Sequence, residues 1–236
     1  MTARRLLAVL AHPDDESFLM GGTLARYAAE GVDIRVVTAT RGEAGRGDRD
    51  PEQNGRRRER ELRAAIAVLG VRSLEILGYP DGGLARLPRS VLVRRVMDTI
   101  LAWAPDVVLT FGPDGISGHA DHLAIGEATA DAAASVGGKI RLFQVVPSPA
   151  TRQSCRRGSE TFDATGLTAV DISEHRLAKV RAMQSHASQS QPFCGSAESV
   201  APQLVAHEYF RLTWPPTAGP CPSDLFESAD VPVSVW

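Results

Sequence analysis

Apolar and polar positions alternate in blocks over most of the chain, and each block has the period of one kind of element. Apolar or β-branched runs predict strands at residues 6–11, 33–40, 74–77, 106–111 and 140–146. Between them, apolar residues at helical spacing predict helices within residues 21–31, 57–69, 88–103 and 122–135. Strands and helices therefore take turns, which predicts an α/β fold: a mostly parallel sheet with helices on both faces.

The pattern weakens after residue 146. Residues 167–172 are typical of a further strand and residues 174–185 of a further helix. The proline-rich segment from about residue 214 predicts irregular structure. Because no repeat, low-complexity linker or shift in composition marks a boundary, we expect one domain over residues 1–236, with its core within residues 4–190.

Composition narrows the possible partners. The chain has 236 residues, 43% of them hydrophobic, with a formal net charge of -2 and a pI of about 6.3. Its most basic run, RRRERELR, alternates arginines with acids and has no aromatic platform, so we interpret it mainly as a solvated helix face. We therefore expect no nucleic-acid partner, whereas a homo-oligomer remains open.

The first apolar run imitates a secretory signal because two arginines precede it. It covers only residues 6–11 and ends in His-Pro-Asp-Asp, whereas a signal core has roughly 7–15 apolar residues before small ones. We interpret it as a strand, and no stretch approaches the about 20 apolar residues of a membrane span. The three cysteines, Cys155, Cys194 and Cys221, lack metal-binding spacing and favour reduced thiols in a cytoplasmic protein.

Histidines and charged side chains are concentrated in the loops that follow the first four predicted strands. Parallel strands end at one edge of their sheet, where ligands of such folds bind, so these loops should meet. They carry His12, Asp14, Asp15 and Glu16, then Arg41 and Glu43, then Asp81, then His119, Asp121 and His122. Clustered acids repel one another and are costly to bury, so a metal ion would explain their convergence.

The donor set narrows the choice of metal. Two histidines and one carboxylate with an open position suit catalytic zinc. His12 and Asp15 are three residues apart around Pro13, and one ligand from a distant loop would complete a rigid site. The same donors could hold ferrous iron. Asp14, adjacent to the ligands, would be free to act as a base.

Each motif also has a purely structural interpretation. AHPDDE alone is typical of a helix N-terminus whose acids face the macrodipole. Asp81 in YPDGG is a natural turn residue, Arg41 and Glu43 could be solvated, and His186 in SHASQ could be a buried structural residue. The glycine-rich segment 42–55 is either a mobile lid or a surface loop. Two His-Asp clusters at one sheet edge favour the functional interpretation.

Four motifs that follow successive predicted strands, AHPDDE, TRGE, LGYPDG and GHADH, together resemble the PIG-L/LmbE family. The resemblance runs from Leu6 to about His122 and resumes in KVRAMQSHASQ, residues 179–189. It implies a Rossmann-like sheet and a zinc-dependent deacetylase acting on small-molecule conjugates of N-acetylglucosamine. The family usually has HPDH where this chain has HADH, so Ala120 removes a rigid element from that loop.

The resemblance also implies the metal site and the base. The implied zinc ligands are His12, Asp15 and His122. Asp14 would be the general base for the metal-activated water.

The remaining implied residues act on the substrate. His119 would stabilise the oxyanion or protonate the leaving amine, and Asp121 would orient His119. Glu43, Arg58 and Asp81 would line the sugar site.

Three other functions remain open at this point. The first is an amidase that removes a larger acyl group from an amino-sugar or thiol conjugate. The second is a non-catalytic sugar- or nucleotide-binding module, although His-Pro-Asp-Asp replaces the glycine-rich dinucleotide fingerprint after the first strand. The third is an iron oxygenase, which the donor set alone permits.

Overall fold

The computed structural model describes residues 3–138, 140–147, 163–189, 195–216 and 219–227. Its strands form one sheet in the order β3-β2-β1-β4-β5-β7-β6. The strands are β1 (Arg5–Leu10), β2 (Asp33–Thr38), β3 (Ser73–Ile76), β4 (Val107–Phe111), β5 (Arg141–Val146), β6 (Thr168–Asp171) and β7 (His207–Trp214). The strands β1 to β5 are parallel to one another, whereas β7 pairs antiparallel with both β5 and β6.

Helices flank this sheet in two layers. They are α1 (Asp15–Ala29), α2 (Pro51–Val68), α3 (Arg89–Trp103), α4 (Gly115–Gly118), α5 (Ala120–Val136), α6 (Arg176–Ser185) and α7 (Ala197–Val200). Helix α3 packs on α5, and α1, α2 and α6 pack on one another. The predicted α/β class, a mostly parallel sheet between helices, is confirmed.

The centre of the sheet determines where a ligand can bind. Residues 6–10 of β1 are completely buried, because a strand covered on both faces must be apolar throughout. The chain passes from β1 outwards to β2 and β3, then returns to β4 on the other side of β1. Strand order therefore reverses between β1 and β4, and the crevice above their carboxyl ends is the expected ligand site of such a sheet.

The strand β7 is missing from the sequence-based prediction, which ended the regular structure near residue 190. Its residues alternate between more and less buried positions, and it enters the sheet between β5 and β6 instead of following the parallel order. Local periodicity does not reveal where in the sheet a strand pairs when it is added out of chain order. The predicted irregular tail begins after β7, and part of it lies outside the described residues.

Two helices begin earlier than predicted. Helix α1 begins at Asp15, so the acids of the first loop occupy its first turn. Helix α2 begins at Pro51, with the Asp50 carboxylate accepting from the Glu52 amide at 2.9 Å. Proline suits the first helical position because its missing N–H has no partner there. The predicted loop 42–55 is therefore shorter and ends at the cap.

No helix in the described ranges is both long enough and apolar enough to cross a membrane. Cys221 is a free thiol, and Cys155 and Cys194 lie outside the described residues. The single domain over residues 1–236 stays a prediction.

Candidate metal and catalytic site

Three predicted ligands meet in the crevice between β1 and β4. The Nδ1 atom of His12 is 3.2 Å from Nε2 of His122, and the Asp15 carboxylate oxygens lie 3.7 Å from the first and 3.3 Å from the second. Tetrahedral zinc with bonds of about 2.0–2.1 Å separates its ligands by about 3.3 Å. The two Asp15 distances involve different oxygens, Oδ2 beside His12 and Oδ1 beside His122, so the three side chains present ligand atoms around one point, as a small divalent cation requires.

The outer ring nitrogens of His12 and His122, which face away from each other, have hydrogen-bond partners in the protein. These partners orient the two rings so that the inner nitrogens, His12 Nδ1 and His122 Nε2, face the same point. His12 Nε2 lies 3.1 Å from an Asp81 oxygen and 3.3 Å from an Asp121 oxygen. His122 Nδ1 donates to the Gly115 carbonyl at 3.1 Å, and Phe111 stacks on its ring. Such partners fix the proton on the outer nitrogen and leave the inner lone pair for a metal.

Other combinations of ligand atoms are also close. The ligand atoms of His12, His119 and His122 lie within 4.8 Å of one another, as do those of His12, Asp81 and Asp121. The carboxylates of Asp81 and Asp121 face the outer nitrogen of His12. They are therefore better placed to orient His12 than to bind the metal themselves. A possible metal-binding His/Asp group is therefore present at the predicted edge.

The charges of this group favour a cation at its centre. Burial lowers the pKa of His12, but Asp121, Asp81 and Asp15 outweigh that effect and raise it to about 10. Burial alone would raise the pKa of Asp15, but His122 and His12 hold it well below its usual range. A metal ion at this point would supply the positive charge that protons otherwise provide.

Asp14 is held in an unusual conformation beside the ligands. Its φ of 123° lies in the left-handed region, which a non-glycine residue adopts only under constraint. Burial and the Asp15 charge raise its pKa to about 7, against the opposing charge of Arg58. A carboxyl with a pKa near neutral is poised to accept and return a proton.

Arg58 has a different place from the one predicted. Its side chain is only 4% exposed, so it does not line an open sugar site. Its guanidinium donates to Asp14 at 3.0 Å and to the carbonyls of Pro13 at 2.6 Å and Gly42 at 2.8 Å. It therefore connects helix α2 to the loops after β1 and β2, a supporting role that the spacing of charged residues could not reveal.

Glu43 and Asp81 lie together, as their shared assignment predicts. A Glu43 oxygen accepts from the Asp81 amide at 2.8 Å, and the Ala44 amide donates to Asp81 at 2.9 Å. Asp81 faces His12 with its other oxygen, so it adjoins the metal-binding group. Their contact with a sugar stays a prediction.

His119 lies at the exposed edge of the site. Its Nδ1 accepts from the Asp121 amide at 3.2 Å and caps helix α5, so the ring proton resides on Nε2. Burial and the nearby His12 and His122 lower its pKa, which keeps the ring neutral. Ala120 is the first residue of α5, where proline also fits, so its presence does not move the start of the helix.

The carboxylate of Asp121 does not face His119, contrary to the predicted orienting role. It accepts from the backbone amides of Gly82 at 2.7 Å and Leu84 at 3.0 Å, and it contacts His12. The side chain therefore orients His12, one of the predicted metal ligands, from the other loop. Asp121 contacts the His119 ring through its backbone amide and not through its carboxylate.

Sequence reasoning left one cluster unassigned. Glu16 and His186 are completely buried, and His186 Nε2 lies 2.6 Å from a Glu16 oxygen. The other Glu16 oxygen accepts from the Asp14 amide at 3.1 Å. The only sequence signal was the histidine in SHASQ, for which a structural and a functional interpretation were equally open.

The fold and this site define a class: an α/β enzyme with a possible metal-binding group of histidines and aspartates where strand order reverses. Residues 7–133 match the PIG-L family, described as GlcNAc-PI de-N-acetylase. The chain belongs to this family and is a hydrolytic deacetylase. The predicted family and enzyme class are thereby confirmed.

Curated relatives match over nearly their whole length. The chain is 34% identical, over 94% of its length and 96% of the relative's, to a 1D-myo-inositol 2-acetamido-2-deoxy-alpha-D-glucopyranoside deacetylase of Actinosynnema mirum. It is 35% identical to a protein of the same name from Mycobacteroides abscessus, over 80% of this chain and 82% of the relative.

Solved structures share the fold. The conserved protein TT1542 of Thermus thermophilus has a TM-score of 0.65 at 26% identity, over 90% of this chain and 95% of its own. N,N'-diacetylchitobiose deacetylase of Pyrococcus horikoshii has a TM-score of 0.66 at 21% identity, and the match covers 90% of this chain and 84% of that protein. The hydratase GalB of Pseudomonas putida also has a TM-score of 0.66, at 20% identity, over 92% and 98%. Since the fold also carries a hydratase, the reaction must be argued from the site.

Proposed function

We propose that this deacetylase uses zinc to remove the N-acetyl group from an N-acetylglucosamine joined to a small-molecule alcohol of the inositol type. The observation that carries the proposal is the convergence of three side chains: His12 Nδ1 is 3.2 Å from His122 Nε2, and each of these nitrogens is within 3.7 Å of an oxygen of Asp15. The names of the curated relatives support the inositol conjugate. The reduced-thiol composition supports a cytoplasmic enzyme.

The metal ligands we propose are His12, Asp15 and His122. A divalent cation held there would lower the pKa of water and polarise the amide carbonyl. Asp81 and Asp121 keep the outer nitrogen of His12 protonated, so that its inner lone pair is available.

Asp14 is the proposed general base. Its pKa of about 7 lets it take a proton from attacking water at neutral pH and give it back later. The hydrogen bond from Arg58 to one oxygen of Asp14 orients the carboxylate for the transfer.

His119 is proposed to act on the other side of the reacting carbon. Its neutral ring carries the proton on Nε2, which can donate to the developing oxyanion. Losing one such donor typically costs about 3–4 kcal/mol of activation free energy. Glu43 and Asp81 are the proposed contacts for sugar hydroxyls at the rim.

An amidase for a larger acyl group is the second candidate, because the same site would cleave either amide. A panel of N-acetylglucosamine conjugates and bulky-acyl glucosamine conjugates separates the two. Acetate release from the plain N-acetylglucosaminyl-inositol supports the first function, and dependence on a bulky acyl group supports the second.

The test uses the zinc-loaded protein and two variants. Asp14→Asn should keep about one metal per chain and lose about 10²–10⁴-fold in turnover, because only the base is removed. His122→Ala should lose both metal and turnover. Full activity of Asp14→Asn would contradict its role as base, and a wild-type protein without bound metal or hydrolysis would indicate a binding module.

A further inference from the structure

A buried chain of hydrogen bonds connects the end of helix α6 to the backbone of the proposed base. His186 follows α6, and its Nε2 lies 2.6 Å from Glu16 Oε1. The Ser17 hydroxyl donates to the same oxygen at 2.6 Å. Glu16 Oε2 accepts from the Asp14 amide at 3.1 Å. His186 and Glu16 have no exposed surface.

We propose that His186 is a positioning residue that acts through Glu16 to hold the main chain of Asp14 in its active conformation. The proposal rests on the deacetylase function proposed above, in which Asp14 is the base. It assigns a role to a histidine that contacts neither the metal ligands nor the open crevice.

The conformation of Asp14 needs such support. A φ of 123° is unfavourable for an aspartate, and it persists only where neighbouring contacts fix it. Arg58 holds the carboxylate of Asp14, whereas Glu16 holds its amide. The second anchor depends on Glu16 keeping one oxygen turned towards Asp14.

His186 keeps Glu16 in that orientation. A buried carboxylate requires donors on both oxygens, and here Oε1 has two while Oε2 has the Asp14 amide. Burial lowers the pKa of His186, but the charges of Glu16, Asp14 and Glu61 outweigh it and raise the pKa, which favours a donating Nε2. Without this donor, Glu16 is free to turn, and its bond to the Asp14 amide weakens.

Glu16 and His186 come from distant parts of the chain, so their hydrogen bond connects two regions of the sequence. Glu16 lies within the family match at residues 7–133, whereas His186 lies beyond it. The C-terminal part of the chain thus reaches the catalytic loop through one fully buried side chain. Its neighbours Ser188 and Gln189 bond to Glu61 and to the Arg46 carbonyl, which anchors the same segment on α2 and the loop after β2.

The test compares three replacements of His186 in the zinc-loaded enzyme. His186→Leu removes the donor, His186→Asn is polar but too short to reach Glu16, and His186→Gln can place an amide N–H near the position of Nε2. We expect kcat to fall about tenfold or more in the first two and by less than about threefold in the third. KM and metal content should stay near wild type, because the metal ligands are untouched.

A second readout does not depend on catalysis. In the metal-free protein, the Asp14 amide should exchange its hydrogen about tenfold faster or more in His186→Leu and His186→Asn, but not in His186→Gln. Lys179→Met is the matched control: Lys179 is buried on the same helix and pairs with Glu208 and the Phe18 carbonyl. It should lower thermal stability without changing kcat or exchange at Asp14.

The outcomes separate the two proposals. Unchanged exchange at Asp14 in His186→Leu and His186→Asn, or a Gln variant as slow as the Leu variant, would overturn the positioning role. A wild-type enzyme that releases no acetate would overturn the proposed function, and the exchange measurement would still decide the role of His186.

Discussion

Arg58 donates to the Asp14 carboxylate at 3.0 Å from a side chain that is almost completely buried. The same guanidinium donates to the Pro13 and Gly42 carbonyls, so three acceptors from two loops share one cation. The contact lowers the pKa of Asp14, whereas burial and Asp15 raise it. Arg58 therefore affects both where the base lies and when it is ionised.

Replacing Arg58 separates these two effects. In Arg58→Gln the loss of the charge should move the acid limb of the kcat/KM profile upwards by about one pH unit, because the cation no longer favours ionised Asp14. Arg58→Lys retains the charge but loses the fork of donors, so the limb should stay in place while kcat falls. Profiles from pH 5 to about 9 measure both, and an unmoved limb in Arg58→Gln would contradict the coupling.

Gly45 should tolerate no side chain, because a Cβ there would overlap the Arg58 guanidinium. Gly45→Ala should displace Arg58 and lower kcat by about tenfold or more, with metal content unchanged. Gly219→Ala is the control, since a Cβ there has nothing within 4 Å. Equal kcat values for the two variants would show that Arg58 can move without consequence.

Replacing Asp121 should weaken metal binding, because its carboxylate orients His12. Gly82 and Leu84 donate to different oxygens of Asp121, and Asp121→Asn replaces one of these oxygens with an NH2 group that cannot accept, so one backbone bond is lost and the support of His12 is weakened. Loss of such a partner typically weakens metal binding about 10–100-fold. Competition with a chelator measures the change. Asp131→Asn, on the exposed face of the same helix, should leave affinity unchanged.

The metal-free protein should become less stable as pH rises above neutral. The folded-state pKa of His12, about 10, exceeds its usual 6.5, so its stabilising effect is complete below pH 6.5 and is lost as pH rises through 10. The free energy of unfolding should fall by up to about 1.4 kcal/mol per pH unit in that window. Urea unfolding at pH 7, 8 and 9 tests this. His12→Gln should flatten the slope.

The sequence predicted the part of the fold whose signals are local. The strands β1 to β5 are short runs rich in apolar and β-branched residues, and the four polar loops follow strands that end at one edge. Parallel order alone was enough to expect His12 near His122, although 110 positions separate them. The strand β7 carried no comparable signal, because its place depends on pairing with β5 from far along the chain.

The directions of side chains were harder to predict than their locations. Asp121 was placed correctly at the site, but its carboxylate faces His12, because the amides of the turn at Gly82 and Leu84 attract it. Arg58 lies in a helix rich in charges, and only tertiary contacts distinguish it from its exposed neighbours. Periodicity identifies a helix face, but it does not say which side chain is buried beneath a loop.

The sheet order β5-β7-β6 has a consequence for biosynthesis. In the described sheet β6 is hydrogen-bonded to β7 alone, so it has no partner until the later strand has left the ribosome. All the proposed metal ligands and His186 are translated earlier than β7. A nascent chain thus acquires its proposed metal ligands first and closes this edge of the sheet last. Premature termination before residue 207 would leave β6 unpaired in a chain that already carries all the proposed ligands.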